Sequence, residues 1–396
     1  MSNFTPSAFT ESEERIELRR QVAKLSSRYG REWFTERARA GEKTTELWLE
    51  IGKAGYLGAN LPEEYGGSGG GIGDIAAVCE ELAAQGCPLL MMVVSPAICG
   101  TVIARYGTPE QKQKWLPGIA DGTATMAFAI TEPDAGTNSH NITTTARRDA
   151  LPDGQSEWVL KGQKIYISGV DEAENVLVVA RAEDARTGKL KPCLFVVPTD
   201  AAGFEFTSIP MEIVSPELQF QVFIDDVRLP ADALVGDEDG GLVQLFAGLN
   251  PERIMAASFS TGMARYALER ASSYARERTV FAAPIGSHQA VAHPLAQAHI
   301  ETELARLMTQ KAAALCDDGD DMGAGEAANM AKYAAAEAAC HAVDAAVQTH
   351  GGNGITQEYG MAGLLVAARA GRIAPVSREM ILNFVAMHSL GLPKSY

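Results

Sequence analysis

The apolar positions change period twice along the chain, from helical spacing to alternation and back. Leu18, Val22 and Leu25 recur at helical spacing behind Thr10-Glu11-Ser12-Glu13, which fits a capping box, so an amphipathic helix is predicted there. A second helix carries Leu47 and Ile51 on one face, with Gly55 placed as its terminator. Asp74 is placed to cap a helix that buries Ile75, Val78, Cys79 and Leu82 and ends at Gly86. The most apolar run, Leu89–Ile103, is broken by Ser95-Pro96 and Gly100. It is shorter than the ~20 residues a membrane span needs and reads as a buried helical segment. Thr108-Pro109-Glu110-Gln111 offers a capping hydroxyl, a proline at the first helical position and a glutamine at the third; Trp115-Leu116-Pro117 is expected to close that helix.

At Met126 the signal turns to strands, over Ile142–Arg148, Trp158–Ile167, Val176–Arg181, Leu194–Val197 and Phe220–Val227, between Gly, Pro and Asp breaks. After Gly240 the helical period returns, over Leu268–Arg278, Ala290–Leu315, Ala327–Val347 and Arg378–Leu390. The fold class is therefore α+β, mostly α, in three parts: an N-terminal helical domain over 1–125, an all-β middle domain over 126–235 and a helical domain over 236–396.

A length of 396 residues agrees with more than one core. The formal net charge of -16 argues against nucleic-acid or anionic-membrane partners, while leaving room for a phosphorylated cofactor at a local positive site. The six cysteines form no CxxC pair and have no histidine at zinc spacing, which suits reduced core thiols of an intracellular protein. His140, His288, His293 and His350 lack a second ligand at metal spacing, so no metal is expected. No basic region followed by an apolar stretch opens the chain, so a cytoplasmic location is expected. The glycine-dense 66–73 segment lacks the GxGxxG order, a P-loop lysine and a preceding strand, and reads as a flexible loop rather than a phosphate cradle.

The chemistry gathers around Ala127–Thr137, AFAITEPDAGT. A buried strand is broken at once by turn residues, and the loop that follows carries backbone donors and the hydroxyls of Thr131 and Thr137. Alone, it reads as well as an ordinary strand and loop. With KIYISG at 164–169, YARERTVFAAPIGSHQA at 274–290 and QTHGGNG at 348–354, in this order, it resembles the acyl-CoA dehydrogenase family over nearly the whole chain.

The resemblance implies a β-barrel middle domain, a C-terminal four-helix bundle and bound FAD. It puts Phe128, Ile130, Thr131 and Thr137 at the flavin, with Tyr166 in place of the commoner Trp and Ser168 keeping a hydroxyl. It implies that Arg278, Phe281 and Gln289 reach the FAD of a neighbouring subunit, that Gln348, Gly351 and Gly352 form a second cofactor loop, and that Ser377 belongs to the cofactor set. Arginine suits a pyrophosphate because its planar donors match phosphate oxygens. Outside this context Tyr166 is as well an interior strand residue and Arg278 a solvated helix charge.

In such enzymes a carboxylate takes the α-proton of an acyl thioester, hydride leaves the β-carbon for the flavin, and donors on the thioester oxygen stabilise the enolate. Most members carry the base in a YEGT segment; here an ungapped match puts Pro375 in its place, and proline also has no N–H for the thioester oxygen. Val376 supplies that donor only if the register shifts, and Glu379 lies a helical turn further on. A minority of the family places the base on the helix with an Glu-Arg pair, present here as Glu252-Arg253. Glu252 is the candidate base, with Thr137, Asn250 and Arg253 as substrate-binding candidates. The plain alternative is that Glu252 opens a helix after Asn250-Pro251, where the dipole favours acidic residues. The resemblance further implies an acyl-CoA substrate, an electron-transferring flavoprotein as acceptor and a homotetramer. Two other readings stay open: a flavin monooxygenase or oxidase on the same fold, and a non-catalytic subunit of a hetero-oligomeric dehydrogenase.

Overall fold

The chain begins with helices whose ends are fixed by side-chain caps, some borrowed from distant parts of the sequence. The computed structural model describes residues 11–183, 188–238 and 240–394. Helix α1 spans Glu13–Ser26, and the Ser12 hydroxyl accepts from the Arg15 N–H at 3.2 Å. Thr10, the expected cap, lies outside the described residues. Helix α2, Gly30–Ala40, was not visible in the pattern because it buries one large apolar side chain, Phe34, beside Arg31 and Thr35. Helix α3, Thr45–Lys53, buries Leu47, Trp48 and Ile51.

Two helix ends correct the sequence-based expectation. Helix α4 spans Ile72–Ala84, so Asp74 is not its cap but its third residue, with a carboxylate that accepts from the Gly71 N–H at 2.9 Å. The start is held instead by Asp317, whose carboxylate accepts from the N–H groups of Ile72 and Gly73 at 2.6 and 3.0 Å. No local pattern could have shown a cap supplied from so far along the chain. Helix α7, Pro109–Asp121, has the expected capping box but runs through Pro117 to Gly122, at φ 79°. Leu116, Ile119 and Ala120 are buried on both sides of the proline, and this packing outweighs the one lost N–H. Between these helices, α5 (Leu90–Met92) and α6 (Thr101–Tyr106) flank a π-helical stretch, Val93–Gly100, that contains Pro96 and is wholly buried.

The strands are β1 Met126–Ala129, β2 Thr145–Ala150, β3 Ser156–Ser168, β4 Asn175–Glu183, β5 Leu190–Pro198, β6 Phe204–Ile209, β7 Gln219–Pro230 and β8 Leu234–Val235. They form one sheet in the order β6-β7-β3-β2-β4-β5-β8, with β1 parallel to β4. The pairing path is open at β6 and β8. A register shift between Lys164 and Ile167 in the β3–β7 ladder bulges β3 at Tyr166.

The rest is helical: α8 Gly241–Glu277, α9 Gln289–Asp317, α10 Asp321–His350, α11 Gly363–Ile373 and α12 Arg378–Phe384, with a hairpin of β9 (Thr279–Val280) and β10 (Ala283–Pro284) between α8 and α9. Buried alanines such as Ala264, Ala267, Ala271, Ala339 and Ala342 let α8 and α10 approach closely. Helix α8 starts at Gly241 and passes through Pro251, so Glu252 lies inside a long helix and does not open one. One continuous core joins Leu82 and Ile98 to Phe128, Leu177, Ile254, Ala305 and Ala328, and so ties the first helices, the sheet and the final helices together.

Candidate active site

Glu252 is held on α8 between Pro251 and Arg253, both buried, while it keeps partial access to solvent. Its carboxylate accepts no hydrogen bond from any described residue. Burial pushes its pKa up to about 7, against the opposing charges of Arg253 and Lys332. A carboxylate largely withdrawn from solvent, without a hydrogen-bond partner and with its pKa raised toward physiological pH, suits a general base.

The surroundings come from three other elements. Cys99, in the π-helical stretch, sits close enough for the Glu252 charge to add to the burial that raises its thiol pKa. Its Sγ lies 3.5 Å from the Ala127 carbonyl, which brings the start of β1 to the same region. From α10, Lys332 donates to the Val376 carbonyl at 2.5 Å. Arg253 donates to the Leu249 carbonyl at 2.9 Å, and its Cζ lies 6.0 Å from the Phe246 ring centroid. Asn250 is buried, and its amide donates to the Asp321 carbonyl at 3.3 Å, linking α8 to the start of α10. The Ser377 hydroxyl caps α12 by accepting from the Met380 N–H at 3.3 Å.

The four segments that carry the family resemblance fall into two pairs. In the first, the Ile165 N–H donates to the Thr131 carbonyl at 2.9 Å, which lays the 127–137 strand and loop beside the 164–169 segment. Phe128 is buried and Ile130 partly so, whereas Thr137 is exposed. Ser168 and Gln219 hydrogen-bond to each other through their side chains, at 3.0–3.1 Å. In the second pair, the Tyr274 ring stacks on His350 at 4.5 Å and the Asn353 amide donates to the Tyr274 hydroxyl at 3.1 Å. This sets the end of α8, with Arg278 exposed, beside the 348–354 loop. Gln289 and Gln348 are exposed too. Gly351 has φ 59° and ψ -132°, a conformation suited to glycine, and a Cβ added to it or to Gly352 would meet nothing within 4 Å. Among the described residues no hydrogen bond or ring contact joins the first pair to the second.

Backbone strain marks the same motifs. Among the described residues, Tyr166, Asp226, Phe281 and Ala282 have a positive φ without being glycine, and three of them lie in those segments. Tyr166 is 57% exposed and Phe281 is 91% exposed. Large rings held outward by strained backbone point to a ligand or partner rather than to a core.

Two features escaped the sequence reading. Glu132 is buried and accepts from the N–H and hydroxyl groups of both Thr143 and Thr144 and from Lys164, at 2.6–2.9 Å. Burial alone would raise its pKa, but Lys164 and these donors hold it at about 2. Since Lys164 also donates to the Ile130 carbonyl at 3.0 Å, this knot fixes the loop's base. The second is Lys332, a lone cation on an α10 face otherwise made of Ala328, Ala331, Ala335, Ala336 and Ala339. That interruption of an alanine face was the readable signal.

Comparison with known proteins bears on the whole chain. Family models match end to end: "Acyl-CoA dehydrogenase, N-terminal domain" over residues 12–123, "middle domain" over 127–222 and "C-terminal domain" over 239–390. The acyl-CoA dehydrogenase FadE12 of Mycobacterium tuberculosis is 65% identical, over 99% of this chain and 100% of its own. The chain belongs to the acyl-CoA dehydrogenase family. Among solved structures, a glutaryl-CoA dehydrogenase from Mycobacterium smegmatis in complex with FADH2 matches with TM-score 0.88 and 27% identity, over 98% of this chain and 97% of that one. A chain from work on the electron transferring flavoprotein of Acidaminococcus fermentans matches with TM-score 0.88 and 29% identity, over 96% and 99%. In this acyl-CoA dehydrogenase chain, among the described residues, no helix is long and apolar enough to cross a membrane and no cluster of His, Cys, Asp and Glu could hold a metal ion.

Proposed function

We propose that the protein uses FAD to oxidise an acyl-CoA to the enoyl-CoA, with Glu252 as the base. The observation that carries this is the Glu252 carboxylate, without a hydrogen-bond partner among the described residues, between buried Pro251 and Arg253 on α8 and near enough to Cys99, beside β1, for its charge to be felt there. Glu252 removes the α-proton, the electron pair of that C–H bond forms the new double bond, and hydride leaves the β-carbon. FAD, when bound, supplies the acceptor for that hydride. Tyr166, Ser168 and the loop from Thr131 to Thr137 hold the flavin within one chain.

The remaining cofactor residues, Arg278, Phe281, Gln289, Gln348, Gly351 and Gly352, belong to a neighbouring subunit's site in a homotetramer. The lack of a hydrogen bond or ring contact between them and the first pair among the described residues, together with the outward Phe281 ring, supports this reading. Ser377 joins the cofactor set only if its hydroxyl donates while still capping α12. An electron-transferring flavoprotein is the acceptor, and a base on α8 leans the substrate toward branched or bulky acyl chains, consistent with Pro375 at the usual position. Thr137 and Arg253 contact the substrate; Asn250 acts on the site by holding α8 to α10.

Anaerobic titration with straight and branched acyl-CoAs tests the reaction. The flavin is expected to bleach with release of an enoyl product, and Glu252→Gln is expected to abolish bleaching with FAD still bound. Full bleaching by that variant would place the base elsewhere. Pro375 favours one competing reading, a non-catalytic partner subunit, which requires that the purified protein hold no flavin until a second gene product is supplied.

A further inference from the structure

By the ungapped family match Pro375 takes the place of the usual base and removes a backbone donor, yet the 374–377 segment is tied to α10 by a buried cation. Lys332 is 1% exposed, and its ammonium donates to the Val376 carbonyl at 2.5 Å. An ammonium without a bonded carboxylate is a costly occupant of an alanine face, where an apolar side chain would fill the space with no desolvation penalty. What justifies it is the charge distribution around it. The groups that face Lys332 are Arg253 and Glu252 from α8, Glu337 from its own helix and Glu379 from α12. Glu337 is already taken by Arg372 at 2.5 Å and Arg378 at 3.5 Å. Glu252 is faced by Arg253 and Lys332, and its own charge reaches Cys99. Glu252 thus has a second cation, on a separate helix, that also bonds the 374–377 segment.

We propose that Lys332 is a positioning residue for the dehydrogenation: buried on α10, it fixes the 374–377 segment through its bond to the Val376 carbonyl and presents a second cation toward Glu252. The inference rests on Glu252 being the base. It separates two jobs, a bridge that any donor could make and a charge that only a cation supplies. Burial pulls Lys332 down to about 8, so it is still a cation across most of the range in which Glu252 titrates. Removing a cation beside a carboxyl raises the carboxyl's pKa, so the pH at which Glu252 becomes a working base has to rise with it.

The test is the pH profile of the anaerobic flavin-bleaching rate with an acyl-CoA that the unmodified holoenzyme oxidises. Lys332→Arg is expected to keep the acid limb in place. Lys332→Gln keeps a donor for Val376 but no charge, and Lys332→Met keeps neither. Both neutral variants are expected to move the acid limb upward by about one pH unit, a tenfold loss of rate at the low-pH end. The apparent affinity for acyl-CoA is expected to change less than threefold. An unmoved acid limb in Lys332→Gln overturns the proposal, even if the melting temperature falls, because a purely structural lysine would lower stability without touching the profile. Should Lys332→Met fail to retain FAD, Lys332→Gln alone decides. If Glu252→Gln still bleaches, it is the assignment of the base that fails. If Glu252→Gln is inert and the neutral Lys332 variants keep the original profile, only this inference falls.

Discussion

As the proposed base, Glu252 meets two opposing demands: the side chain must be an anion to accept a proton, and it sits where an anion is poorly solvated. Its folded-state pKa is raised from 4.5 to about 7, so its contribution to stability is fully present below about pH 4.5 and is lost as the pH rises through 7. The shift corresponds to up to about 3 kcal/mol of strain on the anion. Glu252→Gln is therefore expected to raise the stability of the holoenzyme by up to that amount at pH 8 while abolishing activity, and to have little effect on stability at pH 4.5. Thermal unfolding of both forms at the two pH values measures it; an equal or lower melting temperature for the variant at pH 8 contradicts the burial argument. The candidacy of Glu252 was legible because the Glu-Arg pair is contiguous in sequence. Its electrostatic setting was not, since Lys332 and Cys99 approach it from helices that no local pattern connects to α8.

Elements whose ends are fixed by adjacent residues were readable, and those fixed by distant ones were not. The Thr108–Gln111 capping box is complete within four residues and appears as expected. The start of α4 depends on Asp317, and the continuation of α7 and α8 through Pro117 and Pro251 depends on packing, so tertiary contacts decide all three. The β9–β10 hairpin is a further case. Its two turn residues, Phe281 and Ala282, have φ 52° and 63°, the left-handed pair that a two-residue hairpin requires and that Asn-Gly usually supplies. Holding such residues there costs roughly 1–3 kcal/mol each. Ala282→Gly is expected to leave the protein as stable or about 1 kcal/mol more so, because relieved strain exceeds or matches the added freedom of the unfolded chain. Phe281→Ala removes an exposed ring and is expected to leave the subunit's own fold intact while reducing FAD content after gel filtration by severalfold. Full FAD retention by Phe281→Ala would show that the ring serves no cofactor site.

The whole molecule is braced by a buried charge lattice. Arg19 of α1 meets Glu11, Glu80 and Glu81 at 2.7–2.9 Å, and from the C-terminal helices Arg265 reaches Glu80 and Glu81 at 2.8 and 2.7 Å while Arg306 reaches Glu80 at 2.5 Å. Burial alone would raise the pKa of Glu80, but Arg19, Arg306 and Arg265 outweigh it and hold the carboxyl well below the usual range. A lattice that spans α1, α4, α8 and α9, over the continuous core that joins the same helices, is expected to make the N-terminal helices and the C-terminal helices unfold together. Breaking such a buried network from one side costs about 3–5 kcal/mol, because three guanidinium groups lose a shared counter-charge. Glu80→Gln is expected to destabilise the protein by that amount at pH 7, with one calorimetric transition still covering both helical parts. The sign of the pH dependence follows from the lowered pKa: the stabilisation is present above the unfolded value of 4.5 and is lost as the pH falls below it. The gap between the unmodified protein and Glu80→Gln should therefore narrow steadily below about pH 4.5, and should change little with added salt because the charges are shielded from solvent. A gap that closes in high salt at pH 7, or that persists unchanged at pH 3, would mean that the arginines are held by packing and not by the carboxylates they surround.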